Sequence, residues 1–147
     1  MRYLNLLIIF LFITLDAQSQ VLRPSSDVSH YITNSTQQLN SKLFKGPEFQ
    51  QPIVYIEFSP LHIQVAGLTR EIGPSIFIID LNPAYDFNTL EWVLMHELVH
   101  VYQISSGILD KNIDGFIWKG LQYPYSTPYK TRPWELHAEA MVREICK

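Results

Sequence analysis

The chain is poor in cysteine and has no excess of basic residues. Cys146 is the single cysteine among 147 residues, so an intrachain disulfide cannot form and a disulfide-stapled scaffold is excluded. Lysine and arginine number 11 against 14 acidic residues, for a net charge of −3. Because no basic patch is evident, nucleic acid is not expected as a partner. Internal repeats and low-complexity segments are also lacking, and the length suits one domain.

Long apolar runs are lacking too, except at the N-terminus. Residues 4–15 are apolar but for two positions, they follow a short basic start, and small residues come next at Ala17 and Ser19. The run is shorter than the roughly 20 residues of a membrane-spanning helix. We therefore expect residues 1–19 to be a cleaved secretory signal peptide. Residues 20–147 would then be a single secreted or periplasmic domain with no membrane partner.

The middle of the chain has the pattern of β-structure. Residues 52–58 and 75–80 are rich in β-branched and aromatic side chains, which predicts two strands. Residues 61–66 alternate apolar and polar side chains, which predicts a third strand with His62 facing solvent. The glycine-bounded residues 67–73 are predicted to be a loop.

Helices are predicted elsewhere in the chain. Residues 28–44 have some helical spacing of apolar side chains. Residues 88–106 contain no glycine or proline, begin with an asparagine that could cap a helix, and end before a glycine. A last helix is predicted from about residue 131 to 145, with a proline in its first turn. Residues 108–130 have no clean periodicity and are predicted to be irregular.

The sequence from His96 to His100 reads H-E-x-x-H within the helix at residues 88–106. Residues i and i+4 lie on one face of a helix, so both imidazoles can bind one metal ion. Glu97 lies about 100° round the helix, where a carboxylate can act as a base on water. This helix is apolar on nearly every side and is expected to be buried, and a metal would satisfy the buried polar side chains.

A catalytic zinc site usually has a third protein ligand. On the last helix Glu135 and Glu139 are four residues apart, so one carboxylate can bind the metal while the other hydrogen-bonds a histidine ligand. His137 projects away from Glu135, and one metal ion cannot readily use both. Asp110 and Asp114 remain as alternative third ligands, in an aspzincin-like arrangement.

H-E-x-x-H followed by E-x-x-A-[DE], here Glu135 to Glu139, resembles the gluzincin branch of zinc metallopeptidases. The similarity is greatest to small secreted bacterial zincins with the string H-E-L-x-H-x-x-Q, which Gln103 completes here. The metzincin pattern is excluded because it requires glycine and histidine where this chain has Gln103 and Ser106. The resemblance implies an α+β, zincin-like fold. In that fold a small mixed or antiparallel sheet of about three strands packs on the active-site helix, and a C-terminal helix supplies the third ligand.

The same resemblance implies the roles of individual side chains. One Zn²⁺ per chain would be held by His96, His100 and Glu135, with Glu97 as the general base. Glu139 would be the hydrogen-bonding partner of a histidine ligand, although the family commonly has aspartate there. The implied function is a secreted zinc metallopeptidase acting on a peptide or protein substrate.

Several features of this function remain open from sequence. The strand at residues 75–80 is expected to be the sheet edge that pairs with extended substrate, as in zincins. Besides the zinc ion, a side chain is expected to stabilise the negatively charged oxygen that forms when water attacks the scissile carbonyl (the oxyanion). The candidates for this second oxyanion donor are Tyr123, Tyr125, Tyr129 and His137. The alternatives to a peptidase are a non-catalytic secreted module with a structural zinc, or a zinc hydrolase acting on another amide or ester.

Overall fold

The computed structural model describes residues 42–44 and 52–145. The predicted signal peptide, most of the predicted helix at residues 28–44, and Cys146 lie outside these residues. The described part is α+β, as the sequence predicts, with two three-stranded sheets, two α-helices and a short 3-10 helix. The strands are β1 (Ile53–Phe58), β2 (Gly67–Gly73), β3 (Ile76–Leu81), β4 (Leu109–Asn112), β5 (Gly115–Trp118) and β6 (Leu121–Pro124). The helices are α1 (Phe87–Ser105), the 3-10 helix (Tyr129–Thr131) and α2 (Pro133–Ile145).

Sheet A has the strand order β1-β3-β2, with β1 parallel and β2 antiparallel to β3. The strands predicted at residues 52–58 and 75–80 are confirmed as β1 and β3. The prediction that residues 75–80 form the sheet edge is wrong, because β3 is paired on both sides. Of the two outer strands, β2 makes the more extensive contact with α1.

The structure reverses the predictions for residues 61–66 and 67–73. Residues 61–66 form turns rather than a strand, because the Asn82 side-chain amide donates to three of their carbonyl groups at 2.9–3.4 Å. His62 is exposed, as expected. Residues 67–73 form β2 rather than a loop. The buried carboxylate of Asp80 on β3 accepts two hydrogen bonds from the Arg70 guanidinium at 2.6 and 3.1 Å, which ties the two strands together.

Helix α1 begins one residue earlier than predicted, and a different residue caps it. Asp86 accepts a hydrogen bond from the Thr89 backbone N–H at 3.1 Å, which satisfies one of the free donors of the first turn. Asn88, the predicted cap, lies inside the helix. The helix ends at Ser105, and Gly107 follows with a φ of 71°. One face of the central part of α1 is fully buried, including Leu94, Leu98, Val99 and Val101.

Residues 108–130 are not irregular as predicted, because they contain sheet B, an antiparallel meander of β4, β5 and β6. Its inner face, with Leu109, Trp118, Phe116 and Tyr123, packs on Trp134 at the start of α2. Aromatic packing across chain segments, rather than a local alternation, stabilises this sheet.

Helix α1 packs against both sheet A and α2. Ala138 and Val142 on α2 belong to the same hydrophobic core as the buried residues of β3 and α1. This packing aligns the first turn of α2 with the centre of α1, where the two histidines lie. Neither described helix combines the length and the hydropathy that crossing a membrane requires.

Candidate metal centre

Three side chains from the two helices meet at one point. His96 Nε2 lies 3.0 Å from His100 Nε2 and 3.0 Å from Glu135 Oε2, and His100 Nε2 lies 3.2 Å from the same oxygen. The three atoms thus form a nearly equilateral triangle, in which each residue offers one atom able to bind a metal. His96 and Glu135 are 4% and 7% exposed.

The donor set and the spacing of this triangle fit a zinc ion. Two imidazole nitrogens and one carboxylate oxygen are a common ligand set of catalytic zinc. Ligands at about 2.0–2.1 Å from a tetrahedral zinc lie about 3.3 Å apart, close to the three distances in this cluster. A buried carboxylate facing two imidazole nitrogens otherwise needs a shared proton. The cluster is therefore a possible metal site with the geometry of one face of a tetrahedron.

Gln103 sets the orientation of His100. The Gln103 amide is fully buried, and its nitrogen donates to the Trp134 carbonyl at 2.9 Å. Because a carbonyl only accepts, the amide oxygen must be the atom that faces His100 Nδ1 at 2.8 Å. His100 therefore carries a proton on Nδ1, which leaves Nε2 as the ring nitrogen that faces the cluster and can bind a metal. The other amide hydrogen points to His137 Nδ1 at 3.0 Å, so that nitrogen accepts.

The His96 ring is held by packing rather than by a second hydrogen bond. It stacks on Trp92 with 5.3 Å between ring centroids and an interplanar angle of 28°. Among the described residues, its buried Nδ1 has no hydrogen-bond partner. The polar contacts of the His96 ring in the described structure are therefore those of Nε2, with Glu135 and His100.

His100 and Glu135 shift each other's pKa values. Burial opposes a charged His100, but the hydrogen bond to Glu135 and the nearby carboxylate of Glu97 outweigh it and raise the pKa of His100. Burial also disfavours ionised Glu135, but hydrogen bonds with His100 and His96 outweigh it and hold the pKa of Glu135 well below its usual range. The carboxylate is thus kept ionised, which is the form that binds a metal.

Glu97 lies beside the triangle on the same helix. Its Oε2 accepts a hydrogen bond from the Thr69 hydroxyl on β2 at 2.7 Å. Glu97 is 8% exposed and lines the same cavity as His96 and His100. One carboxylate oxygen is therefore positioned by the sheet, in a place from which the group can reach a molecule bound at the cluster.

Gly67 allows β2 to lie this close to α1. A Cβ at this position would overlap Val93 Cγ1 and would lie 3.1 Å from Glu97 Cγ. Both atoms belong to the buried face of α1, which has little freedom to move.

Gly67→Ala is therefore expected to lower the free energy of unfolding by about 1–3 kcal/mol through overpacking, and to displace Glu97. Urea denaturation measures the first effect. Gly73→Ala in the same strand is the matched control, because its Cβ would meet Ile76 at an ordinary 3.6 Å. Equal stability of the two variants would show that β2 does not need this close approach.

A cavity of about 610 Å³ opens on the cluster. One wall is β2 with the turn before it, the floor is α1, and the other wall is sheet B with the start of α2. The polar lining residues include Thr69, His96, Glu97, His100 and Glu135. The apolar ones include Val65, Leu68, Trp92, Val93, Ile104, Leu109, Phe116 and Trp134. Such a mixture, apolar walls around a few convergent polar groups, is typical of a binding site for a small or extended ligand.

Tyr129 is the oxyanion candidate that lies at this cavity. Burial, together with the negative charge and hydrogen bond of Glu135, raises the pKa of Tyr129, so its hydroxyl keeps its proton. The other three candidates are used elsewhere. Tyr125 donates to the Asn112 carbonyl at 2.6 Å, Tyr123 packs edge-on against Trp134, and His137 contacts Gln103.

The remaining predicted residues lie apart from the triangle. Glu139 Oε2 accepts a hydrogen bond from Arg143 at 3.1 Å, and Gln103 makes the histidine contact expected of Glu139. Asp110 is exposed on β4, Asp114 is exposed in the turn between β4 and β5, and neither is a member of the cluster. Of the alternative third ligands considered from sequence, only Glu135 is brought to the two histidines in the described part of the chain.

Two functional contacts were not anticipated from the sequence. Thr69 lies in residues predicted to be a loop, so nothing indicated its contact with Glu97. Gln103 had a local signal, since it lies three residues after His100 on the same helix face, but its second partner comes from α2.

Comparison of the chain with protein-family models, with curated proteins and with solved structures gives no match. The chemistry of the site therefore rests on its own residues.

Proposed function

We propose that the protein is a secreted, zincin-like metallopeptidase of the gluzincin type, which hydrolyses peptide bonds with one zinc ion. The observation that carries this proposal is the triangle of His96, His100 and Glu135 beside Glu97 at the floor of an open cavity. A purely structural zinc site is closed by a fourth protein ligand. Among the described residues the cluster has three ligand atoms, and it faces a cavity, which favours catalysis.

His96, His100 and Glu135 would hold the zinc ion. When bound, zinc supplies a Lewis acid that activates water near neutral pH and polarises the scissile carbonyl. Glu97 accepts a proton from the attacking water and then delivers it to the leaving amine. The Thr69 hydroxyl holds one oxygen of Glu97, so the carboxylate keeps its orientation through both transfers.

Strand β2 is the element suited to bind an extended substrate. It forms an outer strand of sheet A and lines the cavity through Leu68, Thr69 and Glu71. In the described part of the chain no strand pairs with the edge of β2 opposite β3, and a peptide pairing there by strand addition would run past the cluster. This assigns to β2 the role that the sequence suggested for residues 75–80.

Tyr129 is proposed as the second donor to the oxyanion. Tyr129→Phe is expected to lower kcat about 100-fold with little change in KM, because the donor acts on charge that develops in the transition state. Tyr125→Phe is the matched control, since its hydroxyl is bound to Asn112 in sheet B. Equal kcat values for Tyr129→Phe and the wild-type protein would remove Tyr129 from the mechanism.

The test of the function is cleavage of a mixed peptide library by zinc-loaded protein, read by mass spectrometry. We expect new peptide ends that disappear with chelator, return with zinc, and are missing with Glu97→Gln. A zinc-loaded protein that cleaves neither the library nor unfolded protein substrates would contradict a peptidase.

A further inference from the structure

Arg132 presents an unused set of hydrogen-bond donors to the cavity. It immediately precedes α2, and its side chain lines the cavity wall. Its Nε donates to the Thr127 carbonyl at 2.9 Å. The two terminal nitrogens make no hydrogen bond or ion pair within residues 42–44 and 52–145. Four N–H groups of the guanidinium therefore remain for a ligand.

Aromatic rings hold this guanidinium in place. Its central carbon lies 5.8 Å from the ring centroid of Phe116, 5.8 Å from that of Tyr129 and 5.9 Å from that of Trp134. Each distance is within the range of a cation–π interaction. Together with the bond to Thr127, these contacts fix the side chain before any ligand binds, which lowers the entropy cost of binding.

A second cation lies on the same wall. Lys111 on β4 lines the cavity and pairs in register with Phe116, so the two side chains share one face of sheet B. No ion pair of Lys111 is found in the described part of the chain. The nearest carboxylate in sequence, Asp110, accepts instead from the Lys111 backbone N–H at 2.7 Å.

The cavity carboxylates do not neutralise these cations. Glu97 is bound to Thr69, and Glu135 is bound to the two histidines. Glu71 lies on the opposite wall, on β2. Asp110 and Glu135 lie on the same wall as Lys111 and Arg132, but neither carboxylate forms an ion pair with these cations in the described part of the chain. Both cations therefore remain available to a ligand next to Tyr129 and the cluster.

We propose that Arg132 binds a carboxylate of the substrate, with Lys111 adding to the attraction, so that the site selects peptides with an anionic group near the scissile bond. A planar guanidinium with a free edge matches a carboxylate through two parallel hydrogen bonds. The carboxylate is either the peptide's C-terminal group or an aspartate or glutamate side chain. This inference rests on the proposed zinc peptidase function.

Monohydroxamates of succinic, glutaric and adipic acid test this inference by binding alone. In each, the hydroxamate binds zinc while the free carboxylate can reach Arg132, and the matched carboxamide lacks the charge. Calorimetric titration of zinc-loaded protein should show at least one acid binding about tenfold or more tightly than its amide. Arg132→Gln should abolish this preference. Arg143→Gln, which alters an arginine on α2 that pairs with Glu139, should retain it.

The outcomes separate the two proposals. Equal binding of acid and amide by the wild-type protein would overturn the role of Arg132 and leave the zinc site standing. A failure of every hydroxamate to bind would overturn the zinc site and with it this inference. Should Arg132→Gln not fold, Arg132→Lys keeps the charge without the planar fork, and an unchanged preference in that variant would contradict carboxylate binding by the fork.

Cleavage assays then distinguish the two sources of the carboxylate. A peptide with a C-terminal amide should be cleaved more slowly than its free acid if the terminal group is bound. An aspartate-to-asparagine change in the peptide should slow cleavage if a side chain is bound. If both changes left the cleavage rate unaltered, the proposed selectivity would be overturned.

Discussion

Replacing Glu97 by glutamine is expected to lower turnover about 100- to 10,000-fold, because the amide cannot accept the proton that the carboxylate takes from water. Glutamine has nearly the same shape and can still accept the hydrogen bond from Thr69, which is 2.7 Å long in the structure. The zinc content should therefore stay at the wild-type level. Initial rates on a peptide identified in the library measure the first effect, and elemental analysis measures the second.

Glu139→Gln is the matched control for this change. Its carboxylate pairs with Arg143 on the exposed part of α2, so turnover and zinc content should both remain at the wild-type level. A Glu97→Gln protein that keeps zinc and full turnover would show that Glu97 is not the base. A loss of zinc in Glu139→Gln would instead support the role predicted from the sequence, in which Glu139 hydrogen-bonds a histidine ligand.

The second large effect is expected for Gln103→Leu. Leucine has a similar volume but no polar atoms, so the His100 Nδ1–H and the Trp134 carbonyl would lose their partners in a buried site. Loss of these contacts should lower the free energy of unfolding by about 2–5 kcal/mol. The affinity for zinc should fall about 10- to 100-fold, because the His100 ring is no longer held in the tautomer that binds metal.

Two measurements check the Gln103 prediction. Urea denaturation of the metal-free proteins gives the stability change, and competition with a zinc-binding dye gives the affinity change. Gln122→Leu is the control, because the Gln122 side chain is exposed in sheet B and its hydrogen bonds in the described structure are both to the Asn112 side chain. If Gln103→Leu bound zinc as tightly as the control, the orientation of His100 would not depend on Gln103.

The elements that could be predicted from the sequence are those with a strong local pattern. Strands β1 and β3 are dense in β-branched residues, and α1 has a long apolar face without glycine or proline. Because the two histidines are four residues apart, their convergence followed from the geometry of a helix alone. The meeting of Glu135 with them needed the resemblance to gluzincins, since nothing local links positions 39 residues apart.

The wrong predictions concern elements whose structure depends on contacts between residues that are distant in sequence. Residues 61–66 alternate as a strand does, but the Asn82 amide holds them in turns. Strand β2 is bounded by glycines and mostly exposed, so its pattern suggested a loop. Its pairing with β3 is supported by Arg70 and Asp80, which a reading of either segment by itself cannot reveal. Sheet B is stabilised by aromatic packing on Trp134 rather than by its own periodicity.

The metal content of the purified protein tests most directly whether His96, His100 and Glu135 form one binding site. Elemental analysis of protein prepared without a metal-affinity tag should find about one zinc per chain, and near none in His96→Ala and Glu135→Ala, since a catalytic zinc site needs all three protein ligands. Circular dichroism must show that both variants remain folded. Zinc retained at the wild-type level in Glu135→Ala, or no zinc in the wild-type protein after reconstitution, would contradict the site described here.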